Sequence, residues 1–277
     1  LDLAQQSGIE LPGGAPTDSA EALGQWFATQ ADSGSLVEYL KTFDVTLSVM
    51  QSVEGLHRVA KEFVEDLVSD GVIYGEIRWA PEQHLEQGLS LEQAVEAVQA
   101  GLDAAVAAAE ASGKNIQVGQ LITAMRHNDR GMEIAELALK YRDKGAVGFD
   151  IAGAEAGFPA SKFADAFTHL ANHMFPITVH AGEADGVESI RSALVDGRTL
   201  RLGHGVRIAE DIAALDAGDA DVAGLGDVAR WVLERGIPLE LSPSSNLQTG
   251  AVAQWGTEMA QHAFGALYRL GFAVTVN

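Results

Sequence analysis

The sequence predicts a (β/α)8 barrel of the TIM type, and three observations predict it. Short apolar runs alternate with amphipathic stretches, seven strands with a helix between each pair, and a parallel strand connection requires such a crossover. No Gly-x-Gly-x-x-Gly follows any strand, which speaks against a dinucleotide-binding doubly wound sheet. Nearly every strand ends on polar residues, as expected where an active site is built from the C-terminal ends of barrel strands.

The elements follow in chain order. A Pro/Gly turn cluster at 11–16 precedes a helix start at Thr17-Asp18-Ser19-Ala20-Glu21, whose apolar face carries Ala22, Leu23, Trp26 and Phe27. Residues 35–43 read as a short amphipathic piece. Residues 53–69 read as a long helix with an apolar stripe of Leu56, Val59, Ala60, Phe63, Val64 and Leu67, and His57 falls beside that stripe. Strands are expected at 72–79, 116–122, 146–151, 177–183, 200–205, 237–241 and 272–277. Helices are expected at 90–111, 131–144, 161–173, 186–194, 222–235 and 258–270. Residues 1–277 then form one barrel domain, with 1–70 as a helical lid and first crossover. Seven strands are one fewer than a closed barrel. The expectation is that the first strand and the C-terminal end of the barrel lie outside this chain, the strand upstream of Leu1 and between the first and last strands seen.

Composition bounds the function. The 277 residues are 47% hydrophobic, enough for a large core, and no run approaches a membrane span. A formal net charge of −21 disfavours nucleic acid and anionic membrane as partners. There is no cysteine, so any metal must sit on His, Asp or Glu. No signal peptide is visible, and a cytoplasmic location is the default expectation.

The most informative stretch is Ile177-Thr178-Val179-His180-Ala181-Gly182-Glu183, a short buried strand that ends on a histidine, two small residues and a carboxylate. A neutral imidazole can bind a metal, and a carboxylate three residues later can move protons beside it. Other strand ends carry Arg78 with Pro81, Met125-Arg126-His127, Asp150 with Ala152-Gly153, His204, and Ser242-Pro243-Ser244-Ser245-Asn246. His169 and His173 are four apart on one helix with no carboxylate between them, and they read as surface residues, as does His262. His84 and His127 fall in loops on the active face, where they read first as loop residues and second as substrate contacts. Asp150 reads as structural.

Read together, Thr178-Val179-His180-Ala181-Gly182-Glu183, Gly203-His204-Gly205-Val206-Arg207, Gly148-Phe149-Asp150-Ile151-Ala152-Gly153-Ala154-Glu155, Ser242-Pro243-Ser244-Ser245-Asn246 and Glu76-Ile77-Arg78-Trp79-Ala80-Pro81 resemble the adenosine deaminase family in order and spacing, over essentially the whole chain. The resemblance implies zinc-dependent hydrolysis of the purine 6-amino group, with one Zn2+ per complete enzyme and a small purine nucleoside as partner. It implies that His180 is a zinc ligand, that Glu183 gives a proton to purine N1, and that His204 orients and polarises the attacking water. It further implies that the backbone of Gly153 meets the purine, and that Trp26, Phe27, Leu40 and Phe43 are apolar candidates for the ribose lid.

General acid–base help is worth about 10²–10⁴-fold, whereas a zinc site brings the pKa of water from about 15.7 to about 7. The metal therefore carries most of the burden. The family's other zinc ligands are a His-x-His on its first strand and an Asp after its last. The intact motifs favour a complete enzyme of which this chain is part, with the histidine pair before Leu1 and the Asp after Asn277, over a truncated form without chemistry. Ala154 stands where many relatives carry an acid, and Glu155 is the expected compensating carboxylate. Adenine or modified-nucleoside deamination, and a catalytically inactive purine-binding barrel, remain as alternatives. Oligomeric state is left open.

Overall fold

The computed structural model describes residues 1–213, 215 and 221–277. All seven expected strands are present: β1 (Tyr74–Trp79), β2 (Gln117–Met125), β3 (Ala146–Ala152), β4 (Thr178–Ala181), β5 (Arg201–His204), β6 (Leu239–Leu241) and β7 (Val274–Val276). They form two sheets, β1-β2-β3 and β4-β5-β6-β7, each in sequence order. Pairing is parallel, with Tyr74 opposite Gln117, His180 opposite Gly203, and Leu241 opposite Val276. The chain divides into two compact units, 1–24 with 43–149, and 25–42 with 150–277.

The first unit begins with α1 (Asp2–Ser7), which the sequence pattern does not signal and which Gly8 ends in the left-handed conformation at φ 64°. The helix starting at 17–21 forms as α2 (Ala20–Ala31) and runs into the second unit. The single piece expected at 35–43 is two helices, α3 (Leu36–Leu40) in the second unit and α4 (Phe43–Ser48) in the first.

α5 (Val53–Ser69) forms as expected, and the Ser52 hydroxyl accepts the Gly55 N–H at 3.1 Å to cap it. α6 (Leu91–Ala111) starts with a reciprocal capping box between Ser90 and Gln93. Gly101 lets the two helices approach. A Cβ there would lie 2.2 Å from the His57 carbonyl oxygen, so even alanine forces them apart. Leu56, Ala60, Val64, Val95, Val98 and Leu102 are buried, each larger side chain contributing about 1.5–3 kcal/mol on burial. α7 (Gly131–Lys140) completes the unit's helices.

In the second unit α8 (Ala164–Asn172), α9 (Val187–Val195) and α10 (Asp227–Arg235) lie between successive strands. α10 is shorter than the expected 222–235 because Asp211 Oδ2 caps it, accepting the N–H groups of Val228 and Ala229 at 2.9 and 2.8 Å. Phe167, Leu170, Val179, Ile190, Leu202, Val232, Leu239 and Leu241 are buried. The stretch Ser242-Pro243-Ser244-Ser245-Asn246, expected as a strand end, turns at once into α11 (Pro243–Gln248). Proline at the first helical position lacks an N–H that the helix would not use, and its fixed φ suits a helix start. Finally α12 (Phe264–Arg269) precedes β7.

None of the α2 residues is buried, and Trp26 meets Phe27 edge-on at 5.2 Å. The Gly34 N–H donates to the Gln248 carbonyl at 2.7 Å, which seats the turn after α2 on the end of α11. Among the described residues no helix is long and apolar enough to cross a membrane.

Candidate active site

His180, Glu183, His204 and Gly153 all lie in the second unit. In parallel pairing, strand ends of one polarity share one edge, so the last residues of β4 and β5 emerge together. His180 lies opposite Gly203, where a Cβ would come within 3.1 Å of the His180 Cα and Cγ. Gly203 thus leaves room for the imidazole. His204 follows at φ +61°, a left-handed conformation costly for a residue with a Cβ, and Gly205 continues it at φ 65°. The bend is held by the Gly205 N–H donating to the Ala181 carbonyl at 2.9 Å and the Arg207 N–H donating to the Gly182 carbonyl at 3.0 Å. His204 and Glu183 consequently meet, with Nε2 and Oε2 3.2 Å apart and both side chains buried. The His180 and His204 rings are 5.5 Å apart.

Burial pushes the Glu183 carboxyl up to about 7, and the negative charge of Glu155 adds to that shift. The neighbouring His180 and hydrogen bonds from Thr249 and Ser245 pull in the other direction. The Thr249 hydroxyl is 3.1 Å from Glu183 Oε1 and 2.9 Å from the Ser245 carbonyl, so its one proton is shared between them. A carboxyl with pKa near neutrality exists in both protonation states at physiological pH, which suits an acid that must also act as a base.

The turn carrying Glu183 is shaped by Glu155, three residues past the end of β3. The buried Glu155 carboxylate accepts four successive backbone N–H groups, from Gly182 at 2.6 Å, Glu183 at 3.0 Å, Ala184 at 2.7 Å and Asp185 at 3.1 Å, together with the Ser189 hydroxyl. The expectation that Glu155 replaces an acid at position 154 in placing substrate is therefore corrected, because its oxygens are spent on the protein's own backbone. Gly182 takes φ +75° in this turn, and a Cβ there would meet Ile190 at 2.6 Å. Gly153 directly follows β3 at φ 103°.

Asp150, fully buried on β3, orients His180. Its Oδ1 accepts the His180 N–H at 3.1 Å, and its Oδ2 lies 2.7 Å from His180 Nδ1. A carboxylate on one ring nitrogen is the usual support for an imidazole whose other nitrogen ligates a metal. A catalytic zinc needs three protein donors. Among the described residues no group of three His, Asp or Glu side chains is placed to hold a metal ion, so they do not compose a metal centre by themselves.

The remaining histidines sort differently. His262, expected on the surface, is buried because its ring packs against Asn246, with Nε2 3.3 Å from the Asn246 Oδ1. His84 is also buried, its Nδ1 2.9 Å from the Met50 carbonyl, and desolvation pushes its pKa down to about 4. His84 is thus a packing residue, whereas His127 is exposed. His169, half-buried in the last turn of α8, and the exposed His173 just past its end pair with each other at 4.6 Å. Sequence reasoning misses Ser245 and Thr249 as Glu183 partners and Asn246 as a His204 partner. The signal available for Ser245 and Asn246 is their position in the polar stretch that follows β6, whereas Thr249 lies beyond α11 and carries no such signal.

The whole chain, residues 1–277, matches the family model described as adenosine deaminase. It is 51% identical over 277 residues to an adenosine deaminase of Mycobacteroides abscessus, covering all of this chain and 74% of that protein. It is likewise 51% identical to adenosine deaminase 1 of Streptomyces coelicolor, covering 67% of it. An adenine deaminase structure from Arthrobacter aurescens superposes with a TM-score of 0.79 at 24% identity, covering 100% of this chain and 75% of that one. An amidohydrolase from Burkholderia ambifaria solved with bound Zn gives 0.76 at 20% identity, covering 100% and 69%. These solved structures share its fold class, the (β/α)8 barrel. The chain belongs to the adenosine deaminase family, whose members are hydrolases acting on a C–N bond.

Proposed function

We propose that the protein converts adenosine and 2′-deoxyadenosine to inosine and 2′-deoxyinosine with release of ammonia, as a zinc-dependent step of purine salvage. The observation that carries this reading is the buried Glu183–His204 pair at 3.2 Å, in which Glu183 is poised near neutrality. The relatives named adenosine deaminase at about half identity support adenosine as the substrate.

In this reading His180 is one donor to the zinc ion, with Asp150 fixing its ring, and the metal when bound supplies an activated water. Glu183 gives its proton to purine N1, which draws electrons from C6 and opens it to attack. As the C6–O bond forms, water returns a proton to the Glu183 carboxylate, and Glu183 passes it to the amino group. The C6–N bond breaks, ammonia leaves, and the hydroxyl proton returns to Glu183 as the carbonyl forms. His204 holds the water in line with C6. Gly153 lets the purine approach the backbone, and the half-buried Trp26 and Phe27 of α2 cover the ribose.

The test is ultraviolet absorbance assay of the full-length protein with adenosine, 2′-deoxyadenosine, adenine and AMP, before and after chelation and zinc return. Adenosine turnover that is lost on chelation and restored by zinc supports the reading. Preference for adenine or AMP overturns the substrate, and absence of turnover with every substrate favours the inactive purine-binding barrel.

A further inference from the structure

Behind His204 lies a buried chain of hydrogen bonds that plays no part in the proton transfers above. The Phe264 backbone N–H donates to His262 Nδ1 at 3.0 Å. His262 Nε2 is 3.3 Å from Asn246 Oδ1, and Asn246 Nδ2 is 2.9 Å from His204 Nδ1. Asn246 is completely buried.

The polarity of this chain is fixed at one end. A backbone N–H can only donate, so His262 Nδ1 must present a lone pair, and the His262 proton sits on Nε2. Nε2–H then donates to Asn246, which turns its carbonyl toward His262 and its amide N–H toward His204. That N–H needs an acceptor, so His204 Nδ1 is the unprotonated nitrogen, and the neutral imidazole carries its proton on Nε2. The reversed arrangement, with the Asn246 amide flipped, would set the His262 Nδ1–H against the Phe264 N–H, two donors face to face. Burial also lowers the His262 pKa, keeping it neutral.

We propose that Asn246 and His262 are positioning residues that hold His204 as the Nε2–H tautomer, so that it presents a hydrogen-bond donor, not a base, toward Glu183 and the attacking water. The assignment deepens the deaminase reading and rests on it for its catalytic consequence, whereas the tautomer itself does not. His204 then stabilises the water oxygen and the oxygen on C6, and Glu183 alone carries protons.

The experiment is long-range proton–nitrogen correlation NMR of the full-length protein labelled with 15N-histidine, with His204 assigned by its loss in His204→Gln. The expected result is a pyridine-type Nδ1 and a pyrrole-type Nε2 for both His204 and His262. A protonated Nδ1 on His204 overturns the proposal, whatever the substrate assays show.

Asn246→Asp places an acceptor at Nδ1 and should move the His204 proton there, with kcat down at least about tenfold and KM within about threefold. An unmoved proton or parental kcat in a folded variant overturns it. If Asn246→Asp does not fold, the second pair decides. His262→Gln keeps an N–H for Asn246 and should retain most of kcat, whereas His262→Leu should lose about as much as Asn246→Asp. A packing role alone predicts the opposite order.

Discussion

Glu155 holds Glu183 in two ways at once: its carboxylate accepts the Glu183 N–H at 3.0 Å, and its charge raises the Glu183 carboxyl. Glu155→Ala leaves four backbone donors without their acceptor, two of them on the buried residues Gly182 and Glu183. Unsatisfied buried donors cost about 1–3 kcal/mol each, softened by relaxation of a short turn and entry of water. The expected net loss is about 2–4 kcal/mol in urea unfolding, with faster amide exchange confined to residues 182–185. Uniform exchange across the unit would show that Glu155 supports the fold generally.

Glu183→Gln removes the proton carrier while keeping its shape. Activity should fall by about 10²–10⁴-fold, with substrate affinity and metal content near the parental values. Its effect on stability has a definite sign. The native pKa is raised from 4.5 to about 7, so the native state favours the protonated carboxyl. That favourable contribution is complete below 4.5 and is lost as pH rises through about 7, reaching about 3 kcal/mol above it. Glutamine never ionises, so in the metal-free protein the variant should gain on the parent as pH rises. Urea unfolding at about pH 5 and about pH 8 checks this, and a constant difference would contradict the burial argument.

The strands are legible because a buried parallel strand is a run of apolar residues, and both Val179 and Leu202 sit in such runs and are fully buried. His180, Glu183 and His204 are legible because they end those runs. The support around them is not. Asp150 and His180 are 30 residues apart in sequence, and Asn246 and His262 are 16 apart across a turn, so only folding reveals their contacts. His262 reads as a surface residue for the same reason: no local periodicity marks a residue buried by a distant asparagine. The helix at Pro243 is hidden by its serines, which favour turns until the proline fixes the start.

Gly203→Ala tests the space left for His180. The new Cβ would press on the His180 Cα and ring at 3.1 Å, tight enough that the ring or the strand must shift. Stability should fall by about 1–3 kcal/mol, as for overpacked sites, and activity should fall further than stability explains. Urea unfolding beside kcat measured well below the melting transition separates the two. Full activity would mean the ring moves without consequence.

Asp150→Asn tests whether His180 serves a metal. The aspartate sits 2.7 Å from His180 Nδ1 and also accepts its backbone N–H. Asparagine keeps the size and, through its carbonyl, one acceptor, but it loses the charge that makes the imidazole a stronger donor. Replacing such supporting carboxylates lowers metal affinity by about 10–100-fold. The full-length variant should therefore release zinc to a competing chelator at correspondingly lower chelator concentration, and added zinc should recover much of its activity. Because Asp150 is buried, some loss of stability is expected as well, and circular dichroism of the zinc-loaded and zinc-free variant separates unfolding from metal loss. Unchanged zinc affinity in a folded variant would remove His180 from the ligand set, since a ligand's ring cannot lose its charged partner without effect.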